Sequence, residues 1–245
     1  MKSELKDRIN LLSKLSIKKV FNGILLFISY YISKFLKRPI QWGNPMSISF
    51  EPTTSCNLRC PECPSGLRAF TRPTGMLENS FFNSTIKQLK SHLHYLTFYF
   101  QGEPYLNPNF LEMVRHASDN GIYTATSTNA HYLKDSIAKK TVESGLDRLI
   151  ISIDGTTQET YQSYRIGGKL DKVIVGAKNV IKWKKKLNSP TPHVIFQFLV
   201  VKPNEHQIAE VLSLGKEVGV GEVRLKTAQV YEYENGNELI PSINK

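Results

Sequence analysis

Residues 56–63 read CNLRCPEC and hold all three cysteines of a 245-residue chain, in the spacing C-x-x-x-C-x-x-C. Thiolates are soft ligands that select zinc or iron–sulfur centres. A closed structural zinc site needs four ligands, commonly as two separated pairs, and this sequence has no second pair of cysteines. Three thiolates in one loop therefore favour an iron–sulfur cluster that leaves one coordination position open for an exchangeable ligand.

Two other interpretations of the cysteines stay open at this point. They fit three unliganded structural thiols, or a zinc site completed by a histidine. A disulfide is disfavoured, because an odd number of cysteines within eight residues suits a reducing compartment. The six histidines show no metal-ligand spacing, and we assign none of them a role.

The cysteine loop follows a short apolar strand, and the wider string EPTTSCNLRCPECPSG resembles the cluster loop of the radical S-adenosylmethionine (SAM) enzymes. It is similar to members with a SPASM-type C-terminal extension, many of which modify peptides. The resemblance implies a 4Fe–4S cluster on Cys56, Cys60 and Cys63, with SAM on the fourth iron. It also implies an electron-donor protein, reductive cleavage of SAM, and removal of a hydrogen from a peptide or small-molecule substrate.

From Met46 onward, strand and helix patterns alternate, which predicts an α/β fold with a parallel sheet and crossover helices. Strands are predicted near 47–51, 95–100, 122–127, 148–153, 193–201 and 222–226. Helices are predicted near 79–92, 108–119, 133–144, 171–187 and 205–218. The pattern alone also fits a doubly wound sheet, whereas the family resemblance implies a partial (β/α)6 TIM-like barrel.

The stretch Gln101-Gly102-Glu103-Pro104 follows the second predicted strand, at the end where barrel enzymes carry their functional groups. It resembles the GGEP motif of the family, which holds the amino group of SAM. A glycine lets backbone approach a ligand closely, and a carboxylate suits an ammonium group. Gln101 replaces the first glycine of the motif, and we expect this to affect only the tightness of the turn.

Two further segments resemble family motifs that contact SAM. Residues 127–129 resemble a T-N segment that lines the pocket, which implies a role for Asn129, although an asparagine in a loop is also explained as a turn residue. Residues 152–155 resemble an S-x-D-G segment, which implies SAM contacts for Ser152 and Asp154. Asp154 has a second interpretation, as the cap of the helix that follows it.

Arg165 lies in the stretch YRIGG, residues 164–168, which resembles the Y-R-x-G-G segment of the SPASM-type enzymes. Its planar guanidinium matches the geometry of a carboxylate, so we predict that it binds the carboxylate of SAM. The alternative is an ordinary surface ion pair.

Residues 1–40 form a basic leader. It carries nine lysines and arginines against Glu4 and Asp7, so +7 of the net charge of +11 lies there. The basicity is therefore not spread over a groove for nucleic acid, and no nucleic-acid partner is predicted. Apolar residues at helical spacing over 5–36 suit the cytoplasmic surface of an anionic membrane.

Other interpretations of the leader are weaker or remain open. The uncharged run between Lys19 and Lys34 is shorter than the ~20 residues that span a bilayer. No small-residue cleavage site of a signal peptide follows it. The open alternative is that the leader packs on the barrel. The chain is thus predicted to be cytoplasmic, in contact with the membrane through the leader.

The sequence predicts three regions: the leader 1–40, a radical SAM core 46–230, and a polar stretch 231–245. We interpret the last region as a linker or the start of a C-terminal extension, so that the sequence would be truncated before an auxiliary-cluster domain. Two alternative functions are a zinc-binding module and a membrane-associated accessory protein that binds SAM without turnover.

Overall fold

A six-stranded parallel sheet forms the centre of the computed structural model, which describes residues 2–230, 234 and 236–242. The strands are β1 (Ser47–Ser49), β2 (Tyr95–Thr97), β3 (Tyr123–Thr128), β4 (Arg148–Ser152), β5 (His193–Val200) and β6 (Glu222–Thr227). They pair in chain order, with β1 and β6 at the two edges. A doubly wound sheet reverses its order at a switch point. This sheet has no reversal, so it has the order of an open barrel.

Helices connect successive strands, as the alternating pattern predicts. They are α3 (Pro64–Leu67), α4 (Asn79–Leu89), α5 (Phe110–Asp119), α6 (Asp135–Glu143), α7 (Gln158–Tyr164), α8 (Leu170–Lys186) and α9 (Ile208–Val218). All six predicted strands and all five predicted helices are present, with ends that differ by a few residues. Helices α3 and α7 were not predicted, because runs of four and seven residues are too short for a periodic pattern.

The core lies on both faces of the central strands. Leu149-Ile150-Ile151 in β4 and Val194-Ile195-Phe196 in β5 are buried without alternation. Such continuous apolar runs are expected where both faces of a parallel sheet are covered, in a barrel by the outer helices and by the barrel interior. These two strands therefore form the buried centre of the sheet.

The leader forms two helices, α1 (Lys2–Ser13) and α2 (Ile17–Leu36). Helix α1 lies across the amino-terminal ends of the strands. Its Asp7 carboxylate accepts a hydrogen bond from the Tyr123 hydroxyl at 2.5 Å and pairs with Arg148. Ser3 contacts His193 at 3.1 Å. Tyr123, Arg148 and His193 begin β3, β4 and β5, so the alternative that the leader packs on the barrel is correct for α1.

The predicted linker at 231–245 lies partly outside the described residues. Within the part that the structure describes, the Lys202 amide donates to the Leu239 carbonyl at 3.1 Å. Leu239 also packs beside the cluster of Leu58, Cys60, Tyr164 and Val201. This part of the region contacts the barrel, and its role as a linker stays a prediction.

Candidate active site

Nine of the ten predicted site residues line a single cavity of about 160 Å³. The cavity lies at the carboxyl-terminal ends of the first four strands. The nine residues are Cys56, Cys60, Cys63, Gln101, Gly102, Glu103, Asn129, Ser152 and Arg165. Only Asp154 is not part of the lining, and it lies directly behind Arg165.

A larger cavity of about 730 Å³ lies at the opposite end of the sheet, between α1 and the loop before β5. Its lining includes Lys6, Asp7, Lys184 and His193, but none of the three thiols. The smaller cavity gathers the soft ligands and the strand-end polar groups. We therefore place the candidate site there, on chemistry rather than on size.

Close packing holds the cysteine loop in place. A Cβ atom on Gly66 of α3 would lie 2.5 Å from both the backbone nitrogen and the backbone oxygen of Cys60, so only glycine allows this approach. The Arg59 amide donates to the Ile166 carbonyl at 3.0 Å. Burial raises the pKa of the Cys56 thiol to about 11 and also raises that of Cys60. Both thiols are therefore protonated at neutral pH, and metal binding would release their protons.

The donor set fits an iron–sulfur cluster better than a single ion. No three His, Cys, Asp or Glu side chains in the described part of the chain are grouped to hold one metal ion. In a 4Fe–4S cluster each thiolate binds its own iron, so the three sulfurs need not converge on one point. A loop of thiols alone, around one cavity, agrees with that arrangement.

Gly102 requires glycine for two reasons. Its φ of +77° lies in the left-handed region, and a Cβ there would lie 1.9 Å from the Thr53 carbonyl oxygen. The next residue, Glu103, donates its backbone N–H to the Ser55 carbonyl at 2.8 Å. The end of β2 is thereby joined to the segment that leads into the cysteine loop.

The Glu103 carboxylate is buried, at 2% exposure. Its Oε1 accepts from the Thr128 hydroxyl at 2.7 Å and from the Tyr105 amide at 3.3 Å, and its Oε2 accepts from the Asn129 amide at 2.8 Å. Burial raises the pKa of Glu103 to about 7, although these hydrogen bonds oppose the rise. A carboxylate offers about four acceptor positions, so three are used and one is left on Oε2.

The side chain of Gln101 lies against the cysteine loop. Its Oε1 accepts from the Cys63 thiol at 3.4 Å and from the Ser65 hydroxyl at 3.2 Å. The Ser65 hydroxyl in turn accepts from the Gly102 amide at 2.8 Å. The expectation that Gln101 affects only the turn was wrong, because its side-chain amide oxygen also contacts Cys63, a candidate cluster ligand.

Arg165 forms a buried ion pair rather than a surface one. Its Nε lies 2.5 Å from Oδ2 of the fully buried Asp154, and its Nη1 lies 3.6 Å from the Cys60 sulfur. Burial opposes the charge of Arg165, but the Asp154 carboxylate outweighs it and holds the pKa of the guanidinium well above its usual range. The surface alternative is therefore wrong.

Asp154 also fixes the end of β5. Its Oδ1 accepts from the Leu199 amide at 2.7 Å. The helix that follows, α7, is capped by Thr157, whose side chain accepts from the Thr160 amide. The interpretation of Asp154 as a helix cap is thus wrong, and its observed contacts orient Arg165.

Asn129 joins β3 to the cysteine loop. Its Nδ2 donates to Asn57 Oδ1 at 2.8 Å and lies 3.9 Å from the Cys56 sulfur. Asn129 therefore does more than an ordinary turn residue. Ser152 is buried, at 6% exposure, and lines the cavity one strand further on.

The sequence did not single out several residues that support the site. Ser65 and Asn57 contact Gln101 and Asn129, and their only signal was proximity to the cysteines. Tyr161 is fully buried, and its hydroxyl has no hydrogen-bond partner among the described residues. The Tyr164 ring lies 5.6 Å from the Arg165 guanidinium. Tyr164 begins the stretch that carries Arg165, and Tyr161 lies three residues before it.

Comparison with known proteins gives a family match over most of this region. The sequence model of the Radical SAM superfamily matches residues 50–215. The AdoMet-dependent heme synthase of Methanosarcina barkeri is 30% identical over 178 residues, which cover 71% of this chain and 48% of that protein. The PqqA peptide cyclase of Bradyrhizobium diazoefficiens is 24% identical over 212 residues, which cover 82% and 52%.

Solved structures agree on the fold. Streptococcus suis SuiB bound to S-adenosylmethionine superimposes with a TM-score of 0.63 at 17% identity, covering 82% of this chain and 44% of SuiB. SuiB has also been solved bound to the precursor peptide SuiA. The chain spans about half the length of the curated relatives it matches. Enzymes of the matched family use a 4Fe–4S cluster and SAM, and this chain belongs to the radical SAM superfamily.

Proposed function

We propose that this protein is a radical SAM enzyme that holds its cluster through Cys56, Cys60 and Cys63. The observation that carries the proposal is the single cavity that these thiols share with Gln101, Gly102, Glu103, Asn129, Ser152 and Arg165. The chemistry that the cluster and SAM supply when bound is a one-electron cleavage of SAM that leads to removal of a hydrogen atom from the substrate.

The residues around the thiols have complementary capacity for the two charged groups of SAM. The position left on Glu103 Oε2 suits an ammonium group. Arg165 has further N–H donors beyond those directed at Asp154 and Cys60, and these suit a carboxylate. Asp154 keeps the guanidinium oriented, so its role is to position Arg165 rather than to touch SAM. Asn129 and Ser152 would border the rest of the bound molecule.

The proposed substrate is a peptide. The PqqA peptide cyclase relative and the SuiB–SuiA complex support this choice, since both act on or bind peptides by name. The heme synthase relative keeps a small-molecule substrate as the alternative. We propose that a reductant protein supplies the electron for SAM cleavage.

The same proposal includes peripheral membrane contact through residues 5–36 at the cytoplasmic surface. Its support is the exposure of large apolar side chains in both leader helices, among them Leu12 at 62% and Phe27 at 64%.

The test of the proposed function is anaerobic reconstitution with iron and sulfide, followed by SAM and dithionite. We expect 5′-deoxyadenosine, measured by chromatography, and its loss when all three cysteines are changed to alanine. An iron-loaded protein that binds SAM but forms no 5′-deoxyadenosine would favour the alternative function of an accessory protein that binds SAM without turnover. A protein that binds zinc but does not take up iron would favour the alternative function of a zinc-binding module.

A further inference from the structure

Helix α2 turns its polar side toward the protein. Its buried residues are Lys19, Asn22 and Ser29. The Lys19 ammonium donates to the Gly121 carbonyl at 2.6 Å, just before β3. A helix on the surface of a soluble domain normally buries an apolar stripe and exposes its polar side. Helix α2 has the opposite arrangement.

The outward side of α2 is apolar along its whole length. Six residues that recur in steps of four and three are between 41% and 89% exposed: Ile17, Phe21, Ile24, Ile28, Tyr31 and Phe35. Helix α1 repeats the arrangement, since its Asp7 and Asn10 bind the barrel while Leu5, Ile9 and Leu12 are exposed. Contiguous exposed apolar surface of this kind marks an interaction site.

The chain runs back along α2 after the helix ends. Ser33 Oγ donates to the Ile40 carbonyl and accepts from the Ile40 amide, both at 2.9 Å. Asn22 bonds the Asn44 carbonyl at 2.9 Å and the Asn44 amide at 2.8 Å. Residues 37–46, which we call the return segment, therefore lie antiparallel to α2 on its polar side.

The return segment decides how α2 meets a membrane. By length and composition α2 is able to cross a bilayer, since its 20 residues span about 30 Å. If α2 crossed, the return segment would have to cross back without helix or strand structure. The backbone polar groups of the return segment would then lie in hydrocarbon, which irregular backbone does not tolerate, and the charges of Lys37 and Arg38 would have to be carried to the far side of the bilayer. The hairpin geometry thus favours a helix that lies in the plane of the interface.

Charge identifies the kind of surface. Lys18 and Lys34 flank the apolar side of α2, and Lys37 and Arg38 follow its last turn. An in-plane helix with apolar residues on one side and lysines at its edges suits a bilayer with anionic headgroups. A second copy of the chain would carry the same positive charge, so charge disfavours self-association through this face.

We infer that α1 and α2 form an in-plane anchor on an anionic bilayer, with the candidate active site opening away from the lipid. The orientation follows from the sheet. The leader binds the amino-terminal ends of β3, β4 and β5, whereas the cavity lies at the carboxyl-terminal ends of β1 to β4. This inference rests on the proposed membrane contact but not on SAM cleavage.

The first measurement is flotation of the full chain with vesicles of phosphatidylcholine alone or with about one third phosphatidylglycerol. We expect co-flotation with the anionic vesicles and release by high salt. The triple variant Phe21→Ser, Ile28→Ser, Phe35→Ser should partition at least about tenfold less. The matched control is Phe81→Ser, Val175→Ser, Leu212→Ser, three residues of similar exposure on barrel helices, and it should float like wild type. Circular dichroism checks that both variants are folded.

The second measurement separates an in-plane helix from a spanning one. Arg38→Cys, bound to sealed vesicles, is treated with a membrane-impermeant maleimide, and residue 38 is analysed by peptide mass spectrometry. Full reaction without detergent supports the in-plane anchor. Flotation with reaction only after detergent would overturn the in-plane anchor but keep membrane contact.

Two further outcomes would contradict the membrane contact itself. One is the absence of flotation with either kind of vesicle. The other is a dimer in sedimentation without lipid that the α2 triple variant converts to monomer, because the apolar face would then belong to a second copy.

Discussion

The two ends of the sheet each carry a buried arginine–aspartate pair, and the neighbours of the two pairs differ. At the amino-terminal end, Arg148 pairs with Asp7 beside the aromatic rings of Tyr123 and Tyr95. At the carboxyl-terminal end, Arg165 pairs with Asp154 beside the Cys60 thiol and lines a cavity. The same two residue types stabilise the fold at one end and present a charge to the candidate site at the other.

The comparison shows that the role of a buried ion pair depends on the side chains and cavities that surround it. The Asp7 carboxylate is also occupied by a tyrosine hydroxyl, and its arginine reaches a second tyrosine. Arg165 instead lines the cavity, and only its contacts with Asp154 and Cys60 use its donors among the described residues. Five changes test this difference, beginning with the largest expected effect.

Replacing Cys60 with alanine should abolish assembly of the cluster, since two thiolates cannot hold three irons. Iron content and the visible absorbance of the reconstituted protein measure the effect. The matched control is Ser65→Ala, which should retain most of its iron. Wild-type iron content in the Cys60 variant would show that Cys60 is not a cluster ligand and would contradict the proposed role of the cysteine loop.

Replacing Arg148 with methionine should lower the free energy of unfolding by about 3–5 kcal/mol, because Asp7 would be left buried and charged without its cationic partner. Urea unfolding measures the loss. The double variant Asp7→Asn, Arg148→Met should recover part of it. SAM cleavage per folded, iron-loaded molecule should not change, and a specific loss of that activity would contradict a purely stabilising role.

Glu103 is a buried carboxylate whose pKa is raised to about 7 from an ordinary value near 4.5. The folded state therefore binds its proton more tightly than the unfolded state, and stability falls as pH rises from about 4.5 to 7. Over that window the loss is about 3 kcal/mol. Thermal unfolding at several pH values should show this slope in the metal-free protein, and Glu103→Gln should flatten it. A variant with an unchanged slope would show that another group titrates.

Replacing Arg165 with alanine should weaken SAM binding by about tenfold to a hundredfold, which corresponds to one lost charged hydrogen bond. The variant should also be less stable, because Asp154 would be left buried without its cationic partner, but the cluster should still assemble in the folded protein. Equilibrium binding and the change in the cluster's EPR signal on SAM addition both measure the effect. Arg165→Lys keeps the charge without the planar guanidinium, so its affinity for SAM should lie between those of wild type and the alanine variant. Unchanged SAM affinity in the alanine variant would show that Arg165 and Asp154 only stabilise the fold, as Arg148 and Asp7 do.

Replacing Gln101 with glycine, the residue usual in the family motif, should have the smallest effect. It removes neutral hydrogen bonds to Cys63 and Ser65, which are worth about 1 kcal/mol. Iron content should match wild type, with a decrease of a few degrees in melting temperature. A variant that loses its iron would show that Gln101 is needed to hold the loop.

The strand pattern was predictable because β4 and β5 contain continuous apolar runs, and the alternation with helices indicated parallel pairing. The open barrel was not predictable from that pattern alone, since it depends on strand order. The cysteines and the strand-end motifs were found because their spacing is local in sequence.

Contacts between distant segments set the limit of prediction. The thiol that Gln101 contacts lies 38 residues away, and Asp154 bonds the amide of Leu199, 45 residues away. Neither contact leaves a trace in local sequence. The leader's periodicity indicated an apolar face but not its direction, because inward polar contacts such as Lys19 with Gly121 depend on the tertiary fold.

The straight order of the strands has a consequence for synthesis of the chain. Each strand pairs with the one made just before it, so the sheet is able to grow as the polypeptide leaves the ribosome. The leader is made before the barrel, yet Asp7 cannot pair with Arg148 until the chain has grown by another 141 residues. Throughout that interval the apolar sides of α1 and α2 are exposed, so the membrane contact proposed above would be open to the nascent chain before its barrel exists.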